Sequence, residues 1–382
     1  LKVLHISAAY KPAYIYGGPT MSVAALCEDL VKAGINVEVF TTTANGAEEL
    51  PVETGKTVLV DSVNVKYFKR ITKDHTHLSP SLLTTLWKEA RSFDLIHIHA
   101  WWNLVSVLAC FIAHIRKVPV LISPRGMLTT YTFNNRNSGV KGIIHKLLGA
   151  SLLRKSNIHT TSLKESEAVK AIVNPLSITT IPNFVKLSQP VYKHEKEFTN
   201  GFKLLFLSRI EEKKGLDILI KSLKNITAPY HLTIAGDGRK EYINQLKALA
   251  YNNEISSNIT WAGFYGDDKF DLLRKNHLLV LPSHDENFGN VVVESLSVGT
   301  AVLISEHVGL ADYILKNNLG WICKSEPESI SDAINNIKGN QINQLKNIQT
   351  IAPSKIHEDF TGDKLTGNYI ALYQKIIANE RL

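Results

Sequence analysis

The chain has 382 residues and a net charge of +8, with 44% hydrophobic and 20% charged residues. Its three cysteines, Cys27, Cys110 and Cys323, are scattered and odd in number, which speaks against a disulfide framework or a cysteine-based zinc site. At about 100–200 residues per domain the length favours two domains, each able to bury its own core.

The chain opens on an apolar strand, KVLHIS, not on a signal peptide. Next comes AAYKPAYIYGGPTMSVAAL, where Gly17 and Gly18 stand before a helix with Pro19 near its start. That helix runs to Gly34, a C′ residue. Its first turn is either an anion-facing loop or a plain connector. Further strands read NVEVFTTT, NVKYFKR, DLIHIHA, VPVLISP, NIHTTS and ITTIPN, with the helical SLLTTLWKEAR among them.

DLIHIHA puts His97 and His99 on one face of a strand. No third ligand is visible beside them, so zinc is not expected, and a satisfied structural histidine is the alternative to a catalytic one. VPVLISPRGML ends a strand on Pro124, Arg125 and Gly126. Arg125 is then a cation at a strand end, suited to a phosphate or an acidic acceptor. The apolar run LVSVLACFIAHI, 104–115, falls short of the roughly 20 residues a membrane span needs. A reducing, cytoplasmic protein is expected.

Charge is unevenly placed. From Leu95 to Leu163 there is no Asp or Glu, while Arg116, Lys117, Arg125, Arg136, Lys141, Lys146, Arg154 and Lys155 fall there. Such a surface addresses an anionic partner or simply keeps the chain in solution. No nucleic-acid motif accompanies it. KGIIHKLLGASLLRK, 141–155, reads either as a basic amphipathic helix on an anionic membrane or as a core helix with its lysines outward.

After the polar stretch 186–201 the pattern begins again, with KLLFLSRI, HLTIAGDG, NITWAGF, HLLVLPS, AVLISE and GWICK as strands. Apolar strands alternating with helices imply parallel sheets covered on both faces. Two such runs give an α/β chain of two doubly wound, Rossmann-like domains facing across a cleft, with ligands at the carboxyl ends of the strands.

LSRIEEKKGLDILIKSL places Arg209 and Lys214 between a strand and a helix that starts near Gly215. Two cations beside unpaired helix N–H groups suit a phosphate, unless Glu211 and Glu212 neutralise them. LTIAGDGRKE has a Gly-Asp-Gly turn at Gly236, without the third glycine of a dinucleotide fingerprint. PSHDENFGNVVVESLSVGTAV, 282–302, puts a polar loop after a buried strand and then a helix that begins around Phe288 to Asn290 and runs to about Val298, ended by Gly299. Glu286 lies before that helix. Glu294 is one turn inside it, on the face of Asn290. Carboxylates and backbone donors sharing one space suit a ligand rich in hydroxyls. A glutamate favoured by the helix dipole is the plainer reading.

In this order the segments resemble family 4 of the retaining nucleotide-sugar glycosyltransferases, of GT-B fold, over nearly the whole chain. The resemblance rests on the Gly-Gly loop, DLIHIHA, LSRIEEKKG, IAGDG, WAGF and the paired-glutamate segment. It implies an acceptor-binding domain over 1–187 plus 358–382 and a donor-binding domain over 188–357, with the last helix returning to the first domain.

The resemblance also implies roles. Arg209 and Lys214 bind the diphosphate, which Gly17 and Gly18 approach. Glu286, Asn287 and the backbone of Phe288, Gly289 and Asn290 hold the donor sugar. Glu294 binds the ribose. Gly263 and Phe264 meet the nucleobase, and Gly236 lines the donor site. Where many relatives carry a histidine, SPRGML has Arg125, as in a subgroup of sugar-chain-building enzymes, and His99 is the histidine remaining nearby. IPNFV, 181–185, replaces the usual Pro-Asn-Gly.

The reaction so implied moves a sugar from a nucleotide sugar to a sugar, glycan or lipid-linked glycan acceptor, with no cofactor and no metal. Its setting is the cytoplasm or the inner membrane face, in polysaccharide or glycolipid assembly, with no nucleic acid as partner. A nucleotide-sugar epimerase of the same fold, or a non-catalytic nucleotide-sugar-binding module, stands as the alternative.

Overall fold

The structure, a computed structural model, describes residues 1–128, 148–187, 201–266 and 268–380. The segments 141–155 and 186–201 lie partly outside these residues, as do Arg136, Lys141 and Lys146 wholly. The chain forms two compact units, one of Leu1–Phe184 with Gly362–Leu382, the other of Val185–Thr361.

In the first unit the strands are β1 (Lys2–Ser7), β2 (Asn36–Thr42), β3 (Ala44–Asn45), β4 (Glu48–Glu49), β5 (Thr57–Val60), β6 (Val63–Phe68), β7 (Leu95–His99), β8 (Val120–Ser123), β9 (Asn157–Thr160) and β10 (Ser177–Thr180). β3 and β4 make a small ribbon, and the others form one sheet in the order β10-β9-β8-β7-β1-β2-β6-β5. The helices are α1 (Gly18–Lys32), α2 (Pro80–Glu89), α3 (Leu104–Ile115), α4 (Ala150–Arg154) and α5 (Leu163–Ile172). As the pattern predicts, the pairings within the sheet are parallel, with one correction. β5 runs antiparallel to β6 through Asp61 and Ser62, both at positive φ (45° and 70°). The turn is of the primed type that fits a hairpin, but without the Asn-Gly or Asp-Gly signal that announces one. Gly34 takes φ 83° just past α1, as its place in the sequence predicts.

The second unit has β11 (Phe202–Leu207), β12 (Tyr230–Ala235), β13 (Ile259–Gly263), β14 (Leu278–Leu281), β15 (Ala301–Ser305) and β16 (Gly320–Cys323), all parallel, in the order β13-β12-β11-β14-β15-β16. Its helices are α6 (Leu216–Ser222), α7 (Lys240–Asn252), α8 (Lys269–Lys275), α9 (Asn290–Ser297), α10 (Ala311–Asn317), α11 (Pro327–Asn340) and α12 (Ile342–Asp359). Strands such as LLVL are buried along their whole length, as two covered faces require. α13 (Gly362–Glu380) packs in the first unit, burying Leu365, Tyr369, Leu372, Tyr373 and Ile376, one face at helical spacing.

The centre of the first sheet is polar. His5 on β1 pairs in register with His97 on β7, and His99 and His159 are buried with them. Their protons follow from one fixed point. The Ile181 carbonyl can only accept, so His159 Nε2 donates to it at 2.8 Å. His159 Nδ1 then accepts from the Ser123 hydroxyl at 2.7 Å, and Ser123 accepts from His97 Nε2 at 2.7 Å. His97 Nδ1 accepts from the Tyr373 hydroxyl at 2.9 Å. In a second branch Arg125 Nε donates to His99 Nδ1 at 3.4 Å, which leaves His99 Nε2 to donate to His5 Nδ1 at 2.9 Å.

These directions are those of neutral rings, and burial keeps all four neutral. Burial holds His5 and His159 down to about 3 and His97 and His99 well below their ordinary value. One expectation is corrected here. A third imidazole does stand beside His97 and His99, since nitrogens of His5, His97 and His99 lie within 4.8 Å of one another. It arrives through strand pairing, which the linear spacing does not show. Both His97 nitrogens are already hydrogen bonded within the chain of donors.

Bases with lowered folded pKa values stabilise the fold fully above about pH 6.5 and lose that contribution as pH falls toward 3. Each of the four contributes a slope of about 1.4 kcal/mol per pH unit in that window. His77 and His114, also lowered by burial, add to it. Urea unfolding followed at pH 7 and pH 5 is therefore expected to show a loss of several kcal/mol. Equal stability at the two values would refute the neutral assignment.

Candidate active site

In the second unit β11 has β12 on one side and β14 on the other, so the sheet's topological switch lies between β11 and β14. Lys214 follows β11 and Glu286 follows β14. Their loops are welded together. Gly215 has φ 70°, and a Cβ there would stand 2.3 Å from the Pro282 carbonyl oxygen. The His284 N–H donates to the Lys213 carbonyl at 2.9 Å. This backbone approach brings the Lys214 ammonium onto the Glu286 carboxylate, where they form a largely buried ion pair.

The Glu286 backbone is pinned in turn. Its N–H donates to the His307 carbonyl at 3.1 Å, and its carbonyl accepts from Gly309 at 2.9 Å. Gly289 caps α9 at φ 92°, where a Cβ would lie 3.1 Å from Val308 Cγ1 and 3.6 Å from Glu286 Cγ. The stem of Glu286 thus runs beside the first turn of the helix. Phe288 is buried and meets Phe360 edge-on. Asn287 sits in the loop and Asn290 at the first helical position. Glu294, one turn on and buried, accepts from Lys269 Nζ at 2.7 Å.

Each glutamate of the pair therefore holds a lysine. Lys269 comes from α8, and nothing in the sequence ties it to Glu294. Arg209, by contrast, is 56% exposed and pairs with Glu211 at 2.9 Å, while Glu212 pairs with Arg239. The two cations that the sequence groups together thus differ: Lys214 is fixed inside, and Arg209 lies on the rim.

Gly236, at φ 143°, donates its N–H to the Gly263 carbonyl at 2.7 Å, and a Cβ on it would lie 1.8 Å from the Ser208 carbonyl oxygen. The Gly-Asp-Gly turn is demanded by its packing on the Arg209 loop. Gly263 ends β13 at φ 72° with open space beside its Cα, and the Phe264 ring that follows is 78% exposed.

In the first unit the switch lies between β1 and β7. Gly17, at φ 65°, caps α1 with open space where a side chain would be, and Gly18 is the first helical residue. His99 is interior, 1% exposed. Arg125 follows β8 at φ 53°, a strained value for a residue with a side chain. Its Nη1 donates to Asn183 Oδ1 at 3.0 Å.

Residues 16–189 match the family described as Glycosyltransferase Family 4, and residues 190–354 match Glycosyl transferases group 1. The chain belongs to these glycosyltransferases. An uncharacterised glycosyltransferase of Methanocaldococcus jannaschii is 25% identical over 98% of both chains. The glycogen synthase of Mycobacterium tuberculosis is 25% identical, covering 85% of this chain and 82% of its own. In fold, the glycosyltransferase is similar to HepE of Anabaena in complex with UDP (TM-score 0.78, 17% identity, covering 98% and 100% of the two chains). It is also similar to the sucrose-phosphate synthase of Thermosynechococcus elongatus (TM-score 0.75, 16% identity, 99% of each). The fold is GT-B, with two Rossmann-like units, and the chain is a sugar transferase.

The weld at Gly215 is open to test in this glycosyltransferase. Gly215→Ala adds an atom against the Pro282 carbonyl and a strained φ, together worth about 1–3 kcal/mol. A lower melting temperature is expected by calorimetry. A variant as stable as the parent would contradict the close approach.

Proposed function

We propose that the enzyme transfers a sugar from a nucleotide-diphosphate donor to an acceptor hydroxyl, with retention at the anomeric carbon, in the assembly of a bacterial-type polysaccharide or glycolipid. The observation that carries this reading is the pair of lysine–glutamate contacts at the switch point, Lys214–Glu286 and Lys269–Glu294. Cations beside carboxylates suit a ligand that is anionic at one end and rich in hydroxyls at the other. HepE of Anabaena, a fold relative in complex with UDP and with UDP-glucose, supports the same ligand class.

In this proposal Lys214 and Arg209 bind the diphosphate and stabilise the charge that develops on it as it leaves. Glu286, with Asn287, Phe288, Gly289 and Asn290, holds the sugar, and Glu294 the ribose. Phe264 and Gly263 offer an exposed ring and an open backbone to the base, and Gly236 shapes the same strand ends. Gly17 and Gly18 approach the diphosphate. Arg125 takes the acceptor's anionic group. His99, neutral and interior, acts on the reaction through Arg125. The departing phosphate oxygen takes the acceptor's proton on the face from which it leaves, so no protein nucleophile is required.

Among the described residues no helix is long and apolar enough to cross a membrane. We further propose that a lipid-linked acceptor is met at the cytoplasmic membrane face through the basic residues that the sequence places between Leu95 and Leu163.

Two measurements bear on the proposal. Glu294→Ala is expected to weaken nucleotide and nucleotide sugar alike, whereas Glu286→Ala mainly cuts transfer, by about 10²–10³, without weakening nucleotide binding. Titration calorimetry with both ligands separates the two, and unchanged nucleotide affinity in Glu294→Ala would overturn the division. Transfer is also expected to survive excess EDTA. Complete loss there would sink the metal-free reading, and an isomerised donor without free nucleotide would favour an epimerase.

A further inference from the structure

Glu165 is a buried carboxylate with an unusual set of partners. Ser162 caps α5, its hydroxyl accepting from the Glu165 N–H at 3.2 Å. Ser-x-x-Glu is the sequence of a capping box, in which the glutamate turns back to the N–H of the cap residue. The Glu165 carboxylate reaches further. Its Oε2 accepts from the Thr161 N–H at 2.7 Å and from the Thr161 hydroxyl at 2.9 Å. Its Oε1 crosses to the turn after β8 and accepts from the Gly126 N–H at 2.6 Å. The side chain is almost wholly enclosed, and a carboxylate so placed must be held by charge-assisted bonds.

What it holds is strained. Arg125 and Gly126 are consecutive left-handed residues, at φ 53° and 79°. The Gly126 N–H belongs to the peptide that leaves Arg125, so the bond on it fixes the direction in which the arginine side chain departs. The far end of that side chain is fixed by Asn183 Oδ1 at 3.0 Å. The Glu165 charge also supports the guanidinium against burial, which pulls it down.

We propose that Glu165 is a positioning residue for Arg125, locking the left-handed turn at 125–126 so that the guanidinium is presented to a phosphate or carboxylate on the acceptor. The inference rests on the acceptor role proposed for Arg125. It adds a second residue on which the affinity for that anionic acceptor depends.

The test compares Glu165→Gln, Arg125→Ala and the double variant in steady-state transfer, with donor and acceptor varied separately. Glu165→Gln keeps the size of the side chain but sets an amide nitrogen against backbone donors. It should raise the acceptor KM about tenfold, the worth of one charge-assisted hydrogen bond, with the donor KM unchanged. In the Arg125→Ala background it should add nothing.

An equal rise in that background, a parallel rise in donor KM, or a parental acceptor KM would each overturn the proposal. Should Glu165→Gln not fold, Glu165→Asp keeps the charge but falls one methylene short of Gly126 and is read in the same way. If the parent enzyme transfers no sugar from any nucleotide donor, the glycosyl-transfer reading itself fails. The clamp is then judged by amide exchange at Gly126, which Glu165→Gln should accelerate and which an absent clamp would leave unchanged.

Discussion

The contact between Gly215 and Pro282 sets the candidate site. Two parallel strands that leave a switch point side by side bring their loops together, but side chains would normally keep the backbones apart. A glycine at positive φ removes that obstacle. Lys214 is then carried into a place where its ammonium loses much of its water, and only an opposed carboxylate makes that tolerable. Glu286 is that carboxylate, and its own backbone is tied to the 307–309 loop. The ion pair therefore records a backbone constraint. Glu294 is placed differently, by the pitch of α9 and by a lysine from another helix.

The first unit meets the same need for rigid strand ends with hydrogen bonds. Starting from the Ile181 carbonyl, every proton in the His159–Ser123–His97–Tyr373 chain has one direction. Such a network tolerates one register only, because a slip of one residue in β7 would turn His97 and His99 to the opposite face. It also ties α13 to the sheet, since Tyr373 is the terminal donor and the Tyr369 hydroxyl lies 3.0 Å from His159 Nε2. Arg125 joins this core to the strained turn. The strain at a strand end is thus borne by a buried polar framework, as functional turns require.

How much of this was legible depends on whether the cause was local. Continuous apolar runs such as HLLVLPS gave the parallel strands, and Gly34 and Gly299 marked the helix ends, because burial and left-handed φ leave traces at single positions. The placing of Glu286 before α9 and of Glu294 one turn inside it followed from helical pitch. β5 was missed because its turn, Asp61-Ser62, lacks glycine. Lys269 and His5 were missed because each arrives by packing or strand register from a distant segment. Glu165 was hidden differently. Its Ser-x-x-Glu setting reads as an ordinary cap, and only the fold shows the carboxylate turned toward Gly126. The resemblance gave the order of the motifs, but not the fact that the lysine expected at the phosphate already holds the glutamate expected at the sugar.

That pairing bears on which ligand the site can take. Lys214 with Glu286 and Lys269 with Glu294 are each close to neutral as pairs, while Glu211 is shared by Arg209 and Lys213. The two enclosed pairs offer an incoming anion little unbalanced charge, so binding there has to exchange partners. A bare diphosphate would draw off the ammonium groups and leave carboxylates without donors. A neutral sugar would satisfy the carboxylates through its hydroxyls and leave the lysines short of an anion. Either mismatch leaves a desolvated charge uncompensated, which costs several kcal/mol. A molecule carrying phosphate and hydroxyls at a fixed separation meets both needs in one step. For the donor proposed above, the ion pairs that hold the site in shape thus favour a ligand that brings phosphate and hydroxyls together.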